Sequence, residues 1–313
     1  MAIHHLSAES VHYRFDNSLE PVLAVASGDT VVIECRDGTD GQLTRDTRVD
    51  ALATVDWDRI HALTGPVYVE GAEPGDVLQV EILEFEHPGW GWTGIWPGFG
   101  LLPDDFGDLY EYRVWEAGPD GRTELEPGIR VPIEPFMGIM SVAPAEPGVH
   151  QSMPPRSWGG NLDIRHMTKG SVGRFPVHVP GALFSTGDGH LAQGDGEVCG
   201  TAIEAPMTVT VRLSVLTGRS IESVELDTRT PTTARAEGMG YHVTSGAGDD
   251  LHENAQNAVR RMIDWLEAEH GLTRPAAYML CSAAGDLKIA VPKMGGEHSA
   301  LVTFHLPHSV FVA

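Results

Sequence analysis

The apolar positions of this chain fall mostly in short alternating runs, with glycine or proline separating one run from the next. Val77-Leu-Gln-Val-Glu-Ile-Leu sets Leu78, Val80 and Ile82 on one side and Val77, Gln79 and Glu81 on the other, the period of a half-buried strand. Pro74-Gly75 just before it marks a tight turn. Met207-Thr-Val-Thr-Val-Arg-Leu-Ser-Val-Leu alternates as cleanly. His12–Phe15, Val22–Ala26, Thr30–Glu34 and Gly65–Gly71 read the same way, each beside a turn signal such as Asp16-Asn17 or Ser27-Gly28-Asp29.

One stretch keeps a helical period. Leu251, Ala255, Ala258, Val259, Met262, Ile263 and Leu266 recur at three- and four-residue steps, with Arg260, Arg261 and Glu267 opposite. Asp250 with Glu253 is a capping pair, and Gly271 supplies the stop, which predicts a helix over 251–269 packed on a sheet. Tyr278–Cys281 and Leu287–Ala290 are the expected neighbouring strands. Residues 87–106 set Trp90, Trp92 and Trp96 among glycines and prolines, which predicts a long irregular loop that either lids a site or plugs a gap. The fold class is therefore mainly β with an α+β portion at the C-terminal end. The expected division is a β-rich region over 1–210 carrying the site motifs, with an α+β region over 211–313 packed on it.

Composition narrows the partners. With 44 acidic against 21 basic residues the formal charge is -23, a field that repels a phosphate backbone and argues against nucleic acid. The acidity is dispersed, as suits a self-repelling soluble surface or a high-salt cytosol. Three scattered cysteines, Cys35, Cys199 and Cys281, form no CxxC pair and no disulfide framework. No basic start leads into an apolar run, and no stretch approaches 18 apolar residues, so a cytoplasmic protein without a membrane partner is expected.

Two polar clusters carry candidate chemistry. Gly187-Asp-Gly-His-Leu-Ala-Gln-Gly-Asp-Gly-Glu packs Asp188, His190, Gln193, Asp195 and Glu197 between glycines, so that a histidine and carboxylates can converge on a metal or a proton. A loop of surface carboxylates has the same spacing. Trp158-Gly-Gly-Asn-Leu-Asp-Ile-Arg-His puts Asn161 and Asp163 on one face if extended, or in a local Asx turn if not. His61 stands at the entry of a strand. Cys199, close to Glu197, is a conceivable nucleophile with a Glu base, yet Val198-Cys199 reads as the start of a strand where a cysteine is buried. A Gly-x-Ser-x-Gly elbow, a His-Glu-x-x-His helix, a Walker A loop and a Rossmann fingerprint are all missing.

The stretches HALTGPVYVEGAEPGD (61–76), HPGWGWTGIWPGFGLL (87–102), PPRSWGGNLDIRHMTKGS (154–171) and FPVHVPGALFSTGDGHLAQGDGEVCGTAIE (175–204) resemble the acetamidase/formamidase family. The likeness runs from the HYRFDNSLEPVLAVASGDTV segment to Tyr278-Met-Leu-Cys-Ser. Its GNxD element falls on Gly160, Asn161 and Asp163, and its GDxHxxQGDGE element on Gly187, Asp188, His190, Gln193, Gly194, Asp195, Gly196 and Glu197. The resemblance implies hydrolysis of linear amides, jelly-roll-like and barrel-like sheets, and a homo-oligomer, dimer or higher. On this footing Asp163 and His190, with His61 and Glu204, are expected to hold a divalent metal, zinc. Glu197, Asp195 and Asn161 are the expected catalytic residues, and Gln193 and Trp92 the substrate contacts. The rival expectations are a non-catalytic small-molecule-binding β protein and a hydrolase of another linear or cyclic amide.

Overall fold

The computed structural model describes residues 1–228, 239–293 and 299–311. Two large sheets dominate, as the alternating runs predict. The six-stranded sheet runs Ile3–Leu6, Thr30–Cys35, Met207–Leu216, Val77–Glu86, Val172–Pro176, Glu225–Asp227, antiparallel except for its first pair. Val31, Ile33, Leu78, Val80, Ile82, Val209 and Val211 turn inward and lose all contact with solvent, whereas Gln79 and Glu81 keep part of theirs. The nine-stranded sheet runs Gly159–Asn161, Phe136–Ser141, Phe184–Ala192, Ile203–Glu204, Trp90–Ile95, Glu111–Glu116 along its main path, and Leu63–Glu70 also pairs with Phe184–Ala192. Inward side chains of both sheets merge into one core.

The C-terminal portion is a three-stranded antiparallel sheet, Tyr241–Gly248, Ala300–Pro307, Asp286–Val291, under the helix α1 (Leu251–His270). Asp250 accepts hydrogen bonds from the backbone N–H groups of His252 and Glu253, and Gly271 closes the helix at φ +67°, as the capping pattern requires. No helix among the described residues is long and apolar enough to cross a membrane.

Three local expectations change. Tyr278–Cys281 is not a strand but lies in a second helix, α2 (Arg274–Ala284), capped by Thr273 with Pro275 in its first turn. Every residue from Ala276 to Ala284 is buried, so α2 has no polar face and shows no helical period in the sequence. Within 87–106, Trp90–Ile95 is a strand paired with Glu111–Glu116 rather than loop. Its glycines serve close packing: a Cβ on Gly94 would stand 2.4 Å from the Trp96 ring. Val198-Cys199 lies in a turn, where the Glu197 N–H donates to the Gly194 carbonyl and the Gly200 N–H to the Glu197 carbonyl.

Candidate active site

A cavity of about 120 Å³ lies against the nine-stranded sheet beneath segment 38–61. Strand Phe184–Ala192, buried along its whole length, carries Asp188 and His190 at alternate positions. Sheet register then sets His190 opposite Glu204, and Glu204 opposite Trp92. His190 Nε2 comes within 3.2 Å of Glu204 Oε2 and 3.4 Å of Asp188 Oδ2. On the far side of Asp188, His61 Nε2 stands 3.9 Å from Oδ2, while its Nδ1 lies 3.3 Å from the Ser152 hydroxyl.

Asn161 ends its strand, but Asp163 turns away from an extended path at φ +48°, with the N–H groups of Leu162 and Asp163 both donating to the Gly138 carbonyl. The segment is therefore not extended through Asp163, yet neither side chain closes a local Asx turn through its Oδ1: Asn161 Oδ1 and Asp163 Oδ1 are both buried without a hydrogen-bond partner. Gln193 ties the two motifs together. Its Nε2 donates to the Asp163 carbonyl (2.9 Å), which aims Oε1 at His190 Nδ1 (3.0 Å). Nδ1 must then carry a proton, and Nε2 is the nitrogen presented to the carboxylates. Gly138 supplies the space in which they meet. A Cβ there would lie 2.7 Å from Asp188 Oδ2, 2.8 Å from Asp163 Oδ1 and 2.8 Å from His190 Cε1.

The electrostatics follow from burial and crowding. Burial raises the Asp163 and Glu204 carboxyls to about 7, with His190 opposing in both cases. Glu197 retains an opening onto the cavity but is otherwise enclosed, and burial with the Asp163 charge pushes it well above the carboxylate range. Burial also acts on Asp188, yet His61 and His190 outweigh it and hold that carboxyl low. For His190 burial is outweighed by Glu204 and Asp188, which hold the imidazole well above its usual value. Burial keeps His61 below its usual value.

These groups suit a cation. Asp163, His190 and Glu197 form one set of converging ligand atoms and Asp188, His190 and Glu204 another, each within 4.8 Å. Because Nδ1 is committed to Gln193, both sets share Nε2 and describe one centre. Asp163 Oδ1 is buried with no hydrogen-bond partner, and His190 Nε2 and Glu204 Oε2 face each other at 3.2 Å without hydrogen-bond geometry, a costly state that a bound divalent ion would relieve. Asn161 Oδ1 and Trp92 Nε1 are also buried and unpartnered, and both residues line the cavity.

Of the expected site residues, Asp163, His190, His61, Glu204, Glu197, Asn161 and Trp92 gather at this cavity and the centre beside it. Gln193 sits behind His190. Asp195 faces away: its Oδ1 takes a hydrogen bond from Arg165 Nε at 3.1 Å. Arg165, with 3% of its side chain exposed, also reaches Asp286 Oδ2 at 3.0 Å. The Gly194 N–H donates to the Ser282 carbonyl and the Leu287 N–H to the Asp195 carbonyl, so α2 and the strand after it grip the loop before Glu197. Cys199 is fully buried, lies 3.4 Å from the Thr201 carbonyl, and burial raises its thiol pKa; it does not line the cavity.

Asp188 has no assigned role in the sequence reading, although its spacing two residues before His190 signals a shared strand face. Thr201, Gly38, Trp57 and Met153 also reach the cavity, with no local signal in the sequence to mark them. Trp57, Ile60, Trp96, Phe99 and Met153 supply an apolar wall to the same cavity. Leu43, Leu52 and Val55 back it in a small core separate from the main one.

A model of the acetamidase/formamidase family matches residues 3–151 and 145–312. An acetamidase of Mycolicibacterium smegmatis is 30% identical over 271 residues, covering 66% of this chain and 66% of its own. The chain spans just under two thirds of the length of the curated relatives it matches. Among solved structures, a gamma lactamase from Delftia acidovorans superposes with a TM-score of 0.88 at 25% identity, over 96% of this chain and 89% of that one. An acetamidase from Bacillus halodurans gives 0.69 at 29% identity, over 96% of each chain.

Proposed function

The chain belongs to the acetamidase/formamidase family, and on that premise we propose that it hydrolyses short aliphatic amides such as formamide and acetamide to carboxylate and ammonia. The observation that carries this reading is the set of unpartnered buried atoms, Asp163 Oδ1, His190 Nε2 and Glu204 Oε2, at the edge of a cavity that Glu197 also faces. Asp163, Asp188, His190 and Glu204 would hold a divalent cation, with His61 beside Asp188; a donor set of imidazole and carboxylates fits zinc. When bound, such an ion supplies Lewis-acid polarisation of the amide carbonyl and makes water more acidic.

The chain's own residues do the rest. Asn161 Oδ1 accepts a hydrogen bond from the substrate amide, and Trp92 Nε1–H donates to its carbonyl oxygen, giving each orphaned atom a partner. Glu197, which faces the cavity and which burial and the Asp163 charge make a stronger base than a free carboxylate, removes a proton from the attacking water and returns it to the departing nitrogen. The water oxygen first adds to the carbonyl carbon, and the carbon–nitrogen bond then breaks as the proton held by Glu197 reaches the nitrogen, which leaves carboxylate and ammonia. Gln193 fixes the imidazole of His190, and Asp195 anchors the loop through Arg165.

Ammonia release from formamide, acetamide and propionamide, with and without a chelator, tests the reading. Turnover lost on chelation and restored by zinc supports it. Full activity in protein shown by elemental analysis to be metal-free removes the cation, and a folded protein that releases no ammonia from any amide removes the hydrolase.

A further inference from the structure

The cavity as a whole is larger than formamide or acetamide needs. One ordered water takes up roughly 10–15 Å³ of such space, so about 120 Å³ holds roughly eight to twelve non-hydrogen atoms. A carboxamide group and the attacking water together have four, which leaves room for roughly four to eight in the acyl group. The apolar lining is contiguous: Ile60 and Trp96 share one cluster, and Phe99 and Met153 pack against it. His61, Asn161, Asp188, Glu197, Thr201 and Glu204 contribute to one part of the lining, whereas Trp57, Ile60, Trp96, Phe99 and Met153 contribute no charge to the other.

The wall is built before any ligand arrives. Trp57 meets Trp96 and Phe99 edge to face at 5.8 Å and 5.9 Å between ring centroids, and Trp92 meets Trp96 at 6.0 Å. Trp96 Nε1 donates to the Leu52 carbonyl at 3.1 Å, so its one polar atom is satisfied by protein. Trp57, 42% exposed, leaves a large ring surface in water at the cavity mouth, surface that an apolar occupant would cover. Interlocked rings lose little freedom on binding, which favours a rigid apolar group over a flexible chain.

We propose that Trp57, Ile60, Trp96, Phe99 and Met153 form an acyl-binding subsite, and that the enzyme prefers amides with a branched or ring-bearing apolar acyl group to formamide and acetamide. This rests on the amide-hydrolase reading above and specifies its substrate class. The polar half fixes the carboxamide identically in every substrate, and the wall discriminates among acyl groups by the apolar surface each one buries.

The test is kcat/KM by ammonia release for formamide, acetamide, butyramide, benzamide and cyclohexanecarboxamide. Each added methylene should raise it about fourfold while space remains, and cyclohexanecarboxamide should exceed acetamide by about 50-fold or more. Trp57→Ala and Phe99→Ala should each lower the cyclohexanecarboxamide-to-acetamide ratio by about tenfold, and Phe99→Leu should keep most of it, which separates a lost wall from a misfolded protein. Equal or better use of acetamide, or a ratio untouched in both alanine variants, overturns the subsite and leaves amide hydrolysis standing. No ammonia from any of the five, from folded protein, sinks the hydrolase reading and the subsite with it.

Discussion

The two sides of the cavity are built in opposite ways. The charged side is a product of backbone register: His190, Glu204 and Trp92 stand on adjacent strands in one row, and Gly138 leaves the gap in which Asp163 and Asp188 approach them. The aromatic side is a product of side-chain packing, drawn from Trp57 and Ile60 at a short 3-10 turn, from Trp96 and Phe99 just after the strand Trp90–Ile95, and from Met153, with the turn Val49–Thr54 behind it. One side is braced by the main core and the C-terminal unit, the other by a small cluster around Leu43 and Leu52. The proposed chemistry thus rests on side chains placed by sheet register, and the proposed discrimination on side chains placed by packing.

The sharpest way to separate the two sides is to remove charge from one. Glu197→Gln should lower turnover about 1,000-fold while the far-UV circular dichroism stays unchanged. Next comes the bracing behind the charged side. Arg165→Met takes the nearer cationic partner from Asp286, 3% exposed, leaving Lys288 at 3.7 Å, and should cost about 3 kcal/mol of stability by denaturant titration; behind the wall the corresponding buried charge is Asp40, paired with Arg36 and Arg59. Gly138→Ala forces a methyl between Asp163, Asp188 and His190, and should cut activity about 100-fold and lower the metal content at equal protein concentration. The smallest effect belongs to the wall: Trp96→Phe deletes the bond to Leu52 and should cost about 1 kcal/mol, with turnover of acetamide reduced less than by any change above. A Trp96→Phe enzyme as crippled as Glu197→Gln would erase the distinction.

The same division marks what could be read from residues alone. Strands such as Val77–Glu86 and Met207–Leu216 were legible because each has one wet face, and α1 because its caps and its period agree. Helix α2 was illegible since burial on all sides removes the period. The strand Trp90–Ile95 was hidden because Gly91 and Gly94 look like turn residues when they serve close approach. On the charged side, two continuous motifs announced Asp163, His190 and Glu197 together. Asp195 shares that motif yet points to Arg165, because strand and turn geometry, which spacing does not encode, decides which carboxylates look inward. The wall had no motif at all: Trp57 and Met153 are 96 residues apart and meet only through the fold.

The junction behind the site has a further consequence for anyone who would re-engineer the protein. Gly194 and Gly285 touch backbone to backbone, so closely that a Cβ on Gly194 would lie 1.7 Å from the Gly285 carbonyl oxygen. The loop that delivers Glu197 is therefore moulded on residues almost a hundred positions downstream. The catalytic motifs are not a cassette, and grafting residues 158–204 onto another β scaffold would carry the ligands without the surface that shapes them. Directed evolution of this protein has its open ground at the exposed positions of segment 44–59, between the buried Leu43, Leu52, Val55 and Ile60.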